Sequence, residues 1–240
     1  MSTAALRASG LTKVFRPRRG LLGRGEAKVA VDAVSLEVAE GELFVLLGEN
    51  GAGKTTLVKL LATLVLPTSG RAEVLGHDVE RESAAVRRVI GLATPDERSF
   101  FWRLSGRQNL NFFAALHGLH GAARNARIDR LADELELDEF LDRRFDGYSS
   151  GMKQRMSLAR SLLGEPRVLF LDEPTRSLDP HQQHRTQELI RKLSRELTVV
   201  LVTHQLAEAR ALGQRIGVMA GGKLTTWAAG DVDLDALFKD

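Results

Sequence analysis

No cysteine occurs among the 240 residues, which excludes disulfides and thiolate-bound metals and fits a reducing compartment. No uninterrupted apolar run approaches the roughly 18 to 20 residues of a spanning helix, and the N-terminal segment Met1–Gly10 lacks the apolar core of a signal peptide. The chain is therefore expected in the cytoplasm. An excess of one charge is missing too: the formal net charge is only +3, so nothing in the totals demands nucleic acid or an acidic surface as partner. Internal repeats and low-complexity linkers are likewise absent. What is present is 43% apolar residues, enough to bury a sizeable core.

Along the chain, "ALRASGLTKVF" and then "AVDAVSLEVAEGELFVLLG" read as β segments, the second becoming continuously apolar at Leu43–Leu47. Between them lies a loop, Arg16–Lys28, with five basic residues and one acidic; a solvated loop outweighs a lipid-binding patch because the charges are few. Ser105 caps a predicted helix, and helical spacing continues over Ala122–Leu141. Two further apolar strands, Arg167–Leu171 and Thr198–Val202, flank an amphipathic helix at His181–Glu196. Apolar strands alternating with helices predict a parallel sheet covered on both faces. The spacing of His117/His120 and His181/His184 would suit a metal, but no completing ligands lie near, so these read as surface histidines. The tail Asp231–Asp240 reads as a short closing helix with no room for an added regulatory domain.

Three stretches carry chemistry. "GENGAGKTT", Gly48, Glu49, Asn50, Gly51, Ala52, Gly53, Lys54, Thr55 and Thr56, follows the strand "LFVLL" and opens a helix. Its glycines let backbone N–H groups surround phosphate oxygens, Lys54 offers a cation to terminal phosphates, and Thr55 offers a hydroxyl to Mg²⁺. Glu49 is expected to point away from phosphate. "VLFLDEPT", Val168–Thr175, delivers two acids at the carboxyl end of a strand, where ligands sit in open α/β sheets. Asp172 suits Mg²⁺ and Glu173 suits an attacking water; alone, the pair would equally suit a turn or helix cap. "YSSGMKQR", Tyr148–Arg155, opens a helix with two serines and a glycine, which is either a second anion site or a plain serine cap.

Phosphate loop, helical insertion, serine-glycine motif and strand acids, in this order and with the last two about 20 residues apart, resemble the ATP-binding-cassette (ABC) ATPases. "SLDP", Ser177–Pro180, looks like the loop after the strand acids, with Ser177 where glycine is common and Asp179 matching an aspartate that touches the opposite subunit. "LVTH" resembles the segment ending in the switch histidine, here His204, that contacts the γ-phosphate. Phe15 falls where the family often stacks an aromatic on adenine. The resemblance implies an α/β fold: a P-loop NTPase (RecA-like) core with a mostly parallel sheet, an N-terminal antiparallel β subdomain and an inserted helical subdomain. It divides one ABC ATPase domain into residues 1–96 (β subdomain and phosphate-loop part), 97–160 (helical subdomain) and 161–240 (remaining core and tail).

The function implied is that of an ATP-hydrolysing transporter subunit of exporter type. Two copies, or this chain and a related ATPase subunit, close head to tail on two ATP molecules with Mg²⁺, and Ser149 and Gly151 of one subunit face the γ-phosphate held by the other. An integral membrane permease is the implied partner, placing the chain peripherally at the cytoplasmic face, with no nucleic acid and only indirect membrane contact. Ser150 and Met152 replace the signature's commoner glycine and glutamine. A soluble ABC ATPase serving ribosomes, DNA or cluster assembly is the alternative; a non-hydrolysing adaptor is disfavoured by Lys54, Asp172, Glu173 and His204.

One place departs from the family. "VIGLATPDERSFFWRL", Val89–Leu104, aligns with a strand end that normally presents a glutamine to Mg²⁺ and water, yet Pro95 or Asp96 stands there. Asp96 or Glu97 offers an oxygen instead, with Arg98 offsetting its charge, or the acids cap the next segment and water completes the metal shell. Phe100, Phe101 and Trp102 are expected to form apolar surface for the membrane partner, the alternative being helical-subdomain core. Phe112 and Phe113 are expected to pack inside.

Overall fold

The computed structural model describes residues 4–16, 26–94 and 99–228. Strand β1 (Ala4–Phe15) pairs antiparallel with β2 (Lys28–Ala39) and with β4 (Ser69–Val74), and β4 carries the two-residue β5 (His77–Asp78), so one sheet runs β2-β1-β4-β5. The second sheet has the order β10-β9-β3-β8-β7-β6, from β10 (Lys223–Ala228) and β9 (Arg215–Ala220) through β3 (Leu43–Leu47), β8 (Thr198–Thr203) and β7 (Val168–Asp172) to β6 (Ile90–Ala93). It is parallel throughout except for the antiparallel edge strand β10.

Every residue of β3, β7 and β8 is buried, which is why these strands read as unbroken apolar runs. Their side chains still alternate between two cores. Val45, Leu171 and Leu201 face one that also holds Leu110 of α3 (Gly106–Leu116), Leu131 of α4 (Gly121–Glu134), Met156 of α5 (Ser150–Leu162), Ile190 of α6 (Pro180–Leu193) and Ala209 of α7 (Leu206–Leu212). Phe44, Phe170 and Val200 face the other, built with Leu57 and Leu61 of α1 (Lys54–Leu61), Val86 of α2 (Ser83–Val89) and the inner face of the four-stranded sheet. Truncating one of these large residues to alanine costs about 2–5 kcal/mol. Sheet order then fixes the site, because the segments leaving β3, β8 and β7 emerge side by side from one sheet edge.

Helix α3 starts where the sequence predicts: Ser105 Oγ accepts the Gln108 N–H, and Gln108 Oε1 accepts the Ser105 N–H. The predicted helix over Ala122–Leu141, by contrast, ends at Glu134. Glu136 takes a left-handed φ of 55° and the chain turns, although Leu135, Leu137, Phe140 and Leu141 are all buried and prolong the apolar pattern. Among the described residues no helix is long and apolar enough to cross a membrane. The tail Asp231–Asp240, the centre of the basic loop, and Pro95, Asp96, Glu97 and Arg98 lie outside the described residues.

Candidate active site

The segment between β3 and α1 turns on three glycines at positive φ. A Cβ on Gly48 would stand 2.2 Å from the Met219 carbonyl oxygen, and one on Gly53 would stand 2.1 Å from that of Ala30, so neighbouring backbone leaves room for hydrogen alone. Gly51 has open space around it but a φ of 86°, which only glycine takes without cost. The loop is braced from outside, as the Gly222 N–H donates to Ala52 O and the Asp32 N–H donates to Gly222 O. Helix α1 follows Gly53 with no side-chain cap. Its first N–H groups therefore present donors and positive dipole together, which suits an anion.

Lys54 is buried, its ammonium donating to the carbonyls of Gly48 at 2.6 Å and Glu49 at 3.0 Å while standing 4.0 Å from Glu173 Oε1. Burial lowers its pKa and the carboxylates of Glu173 and Asp172 pull it back up. Thr55 Oγ1 donates to Asp172, 3.0 Å from Oδ2 and 3.3 Å from Oδ1. Burial raises the Asp172 pKa, the Thr55 hydrogen bond opposes this and Glu173 adds to it. An ionised, desolvated Asp172 beside a hydroxyl is an oxygen-only donor set of the kind a hard divalent cation takes, and the conflict of charge with Glu173 is one a cation would relieve. Among the described residues no group of three or more His, Asp or Glu could chelate a metal by itself, so phosphate or water oxygens would have to complete the shell.

Glu173 follows Asp172 in the left-handed region at φ 52°, a conformation that costs a non-glycine residue about 1–3 kcal/mol. Its N–H donates to Val202 O, and its Oε2 lies 2.6 Å from His204 Nδ1. Ser177 also sits at positive φ, 64°, which gives a backbone reason for the glycine common at this position in the resembled family.

The phosphate loop, Thr55, Thr56, Asp172, Glu173 and Phe15 line one cleft of about 390 Å³. Phe15 is exposed, with the Lys13 ammonium 5.3 Å from its ring centre. Glu49 and Asn50 border this cleft at its solvent edge, while Ala52 faces the groove on the β9–β10 side. Ser149, Gly151 and Asp179 are not brought to it. Ser149 caps α5, its Oγ accepting the Met152 N–H at 3.3 Å, and the Ser149 N–H points at Met152 Sδ, 3.5 Å away. Gly151 has its own packing reason: a Cβ there would meet Gln182 Oε1 at 2.8 Å. Asp179 caps α6 by accepting the N–H groups of His181 and Gln182. The start of α5 opens on a second groove, of about 400 Å³, in which Ser150, Lys153 and Gln154 face Glu173, Arg176 and Ser177.

The aromatic run is divided. Phe100 is 5% exposed, stacks on Phe145 at 4.6 Å and meets Phe113 edge-on, so it belongs to the helical core and not to a surface. Phe101 and Trp102 are 46% and 57% exposed. Phe112, expected inside, is 43% exposed and packs edge-on against Phe101. Sequence reading missed the device that holds this loop: Asn109, fully buried, accepts the Phe101 N–H and donates to the carbonyls of Phe101 and Ser105. It also missed Lys28 and Arg176, which line the phosphate-loop cleft, and Glu208 behind Glu173. Tyr148 proves structural, its hydroxyl donating to Phe140 O at 2.6 Å and its pKa pushed up to about 12, chiefly by burial.

The sequence profile of the family described as ABC transporter matches residues 31–176. The chain is 44% identical over 209 residues to the daunorubicin resistance ATP-binding protein DrrA3 of Streptomyces coeruleorubidus, covering 85% of this chain and 65% of that one. To the daunorubicin/doxorubicin resistance ATP-binding protein DrrA of Streptomyces peucetius it is 39% identical, with 92% and 64% covered. The chain thus spans about two thirds of the length of these curated relatives. With the ABC transporter ATP-binding protein NatA of Bacillus subtilis it shares 35% identity over 81% of this chain and 80% of NatA. Among solved structures, a dimeric post-hydrolysis state of the ATP-binding cassette MJ0796, bound to ADP and Pi, superposes with a TM-score of 0.81 at 25% identity, covering 95% of this chain and all of that one. The structure of cbiO1 from Clostridium perfringens, part of the transporter complex cbiONQ, gives 0.80 at 25% identity, covering 94% and 88%.

Proposed function

Because this chain belongs to the ABC transporter family, we propose that it is an ATP-hydrolysing subunit that closes with a second cassette on two ATP molecules and drives export through a separate integral membrane permease. The observation that carries this is the gathering, at one sheet edge, of an uncapped glycine loop, Lys54, the Thr55–Asp172 pair and Glu173 bonded to His204. In this reading Phe15 stacks on adenine, and the loop amides and Lys54 hold the β- and γ-phosphates. Thr55 and Asp172 hold Mg²⁺, which neutralises charge between the phosphates when bound. Glu173 orients and deprotonates the attacking water, while His204 keeps Glu173 in place and meets the γ-phosphate. Ser149 and Gly151 complete the opposite subunit's site and Asp179 contacts that subunit; the dimeric relative bound to ADP and Pi supports this arrangement.

Two drug-resistance relatives support export of an organic molecule, and the cbiONQ complex supports work with other subunits. Phe101, Trp102 and Phe112 form an exposed aromatic patch suited to a permease helix, which would hold the chain peripherally at the cytoplasmic face. The missing glutamine is read as replaced by Asp96 or Glu97. Mg²⁺-dependent ATPase measurements on Asp96→Ala and Glu97→Ala check this, and unchanged metal dependence in both removes the ligand role. For the whole reading, the protein is purified from membranes with whatever integral protein it carries, and Mg-ATP hydrolysis is measured with and without it. Recovery with ribosomes alone would overturn the transporter role, and no hydrolysis in either state would overturn the ATPase role.

A further inference from the structure

Among the described residues, Glu208 is a buried carboxylate beside the site that the proposed chemistry leaves without a task. It lies in the first turn of α7 and is 1% exposed, a burial that carboxylates almost never undergo without partners. Neither of its oxygens reaches a partner in full hydrogen-bonding geometry. The groups facing it are the hydroxyls of Thr203 and Thr175, with Glu173 and His204 beyond them. Both threonines are themselves buried.

Gln205 settles which way those hydroxyls must act. Thr203 Oγ1 accepts the Gln205 backbone N–H at 3.0 Å, and Thr175 Oγ1 accepts from Gln205 Nε2 at 3.3 Å. A hydroxyl that already accepts still has one proton to donate, and the buried Glu208 carboxyl facing both hydroxyls is an acceptor for it. The two threonines flank the two residues that matter: Thr175 is in the turn two residues beyond Glu173, and Thr203, the last residue of β8, immediately precedes His204. Gln205 ties these segments from one side and Glu208 faces both from the other. Glu173 needs such external restraint, since its left-handed backbone is unfavourable by itself.

We propose that Glu208 is a positioning residue of the ATPase site: its carboxyl accepts hydrogen bonds from the Thr175 and Thr203 hydroxyls together and thereby sets the spacing of the segments that hold Glu173 against His204. This rests on the reading that Glu173 and His204 act on the γ-phosphate. Glu208 touches no reacting atom and acts through the two threonines.

The test compares Glu208→Gln, Glu208→Leu and the double variant Thr175→Val/Thr203→Val in the full chain, by steady-state Mg-ATP hydrolysis and by the ring-nitrogen NMR signals of His204 in the nucleotide-free protein. Glutamine keeps one acceptor oxygen, able to take one of the two hydroxyl bonds, and should lower kcat only about three- to fivefold, whereas leucine should lower kcat about ten- to a hundredfold with KM changed less than about twofold. The double valine variant should reproduce the leucine effect, and combining the two should add little. The hydrogen-bonded signature of His204 Nδ1 should survive in the glutamine variant and weaken in the other two. Should Glu208→Leu fail to fold, the double valine variant carries the same comparison. Parental kcat in the leucine or double valine variant, equal losses for glutamine and leucine, or unmoved His204 signals in all variants would each overturn the proposal. If the parent protein hydrolyses no ATP, the functional reading fails separately, and the His204 signals still decide whether Glu208 positions the pair.

Discussion

Two helix starts in this molecule look alike in sequence and differ in chemistry. Both α1 and α5 begin at small residues that include glycine, yet α1 has no side-chain cap whereas Ser149 caps α5 with Met152 answering it. At α1 the backbone is crowded by Met219 and Ala30 until only glycine fits, and the cation, hydroxyl and acids of a phosphate site gather around it. At α5 the surrounding groups are Gln182 and a groove shared with Glu173 and Arg176, with no comparable set among the described residues. The difference teaches that a helix start becomes a phosphate site through the groups gathered around it, not through its glycine alone. The α1 end gathers its set within one chain, while in the proposed dimer the α5 end would meet a phosphate bound by the second subunit.

The largest test of that distinction is Glu173→Gln. Removing the carboxylate should slow hydrolysis about 10²- to 10⁴-fold while the α1 end still binds ATP, so the protein accumulates as an ATP-bound dimer on a sizing column. Parental turnover would mean that the chemistry does not run through Glu173. Gly53→Ala attacks the α1 end itself. A Cβ 2.1 Å from a backbone oxygen, at φ 110°, must displace the loop, so unfolding free energy should fall by about 1–3 kcal/mol and ATP binding to the isolated chain should be lost. Unchanged nucleotide titration in this variant would show that the close approach to Ala30 is not what shapes the cradle.

These features were unequally legible. The phosphate loop, Asp172 and Glu173 are consecutive residues on strand-turn-helix units, so their chemistry could be read without knowing the fold. The His204–Glu173 contact needed β8 to lie beside β7, which apolar runs imply but do not order. The end of α4 was misread because Leu135, Leu137, Phe140 and Leu141 continue an apolar pattern in a segment that turns. Periodicity could not separate Phe100 from Phe101 either, since adjacent aromatics carry no phase; Asn109, which fixes the segment from Phe101 to Ser105, acts through backbone groups that sequence does not display. Glu208 was invisible because the hydroxyls it faces, those of Thr175 and Thr203, come from segments that only the fold brings together.

Ser149→Ala probes the other helix start. Loss of the cap should cost about 1 kcal/mol of stability while leaving ATP affinity of the isolated subunit unchanged. Combined with Glu173→Gln, it should abolish the ATP-bound dimer. A fall in the isolated subunit's ATP affinity would erase the contrast between the two ends, because Ser149 would then serve the phosphate site of its own chain.

The smallest expected effect, and the finest, is Met152→Gln. In α3 a glutamine oxygen takes the Ser105 N–H at 2.9 Å, whereas in α5 a thioether sulfur, a weak acceptor, faces the Ser149 N–H at 3.5 Å. Glutamine at this position should close the α5 box as the α3 box is closed and slow amide exchange at Ser149. The net stability change should stay within about 0.5 kcal/mol, because the improved hydrogen bond is offset by the loss of a thioether packed against the helical core. If exchange at Ser149 is unchanged or faster, the sulfur contact is already as good a cap as an amide oxygen, and the weakness of the α5 start lies in its surroundings alone.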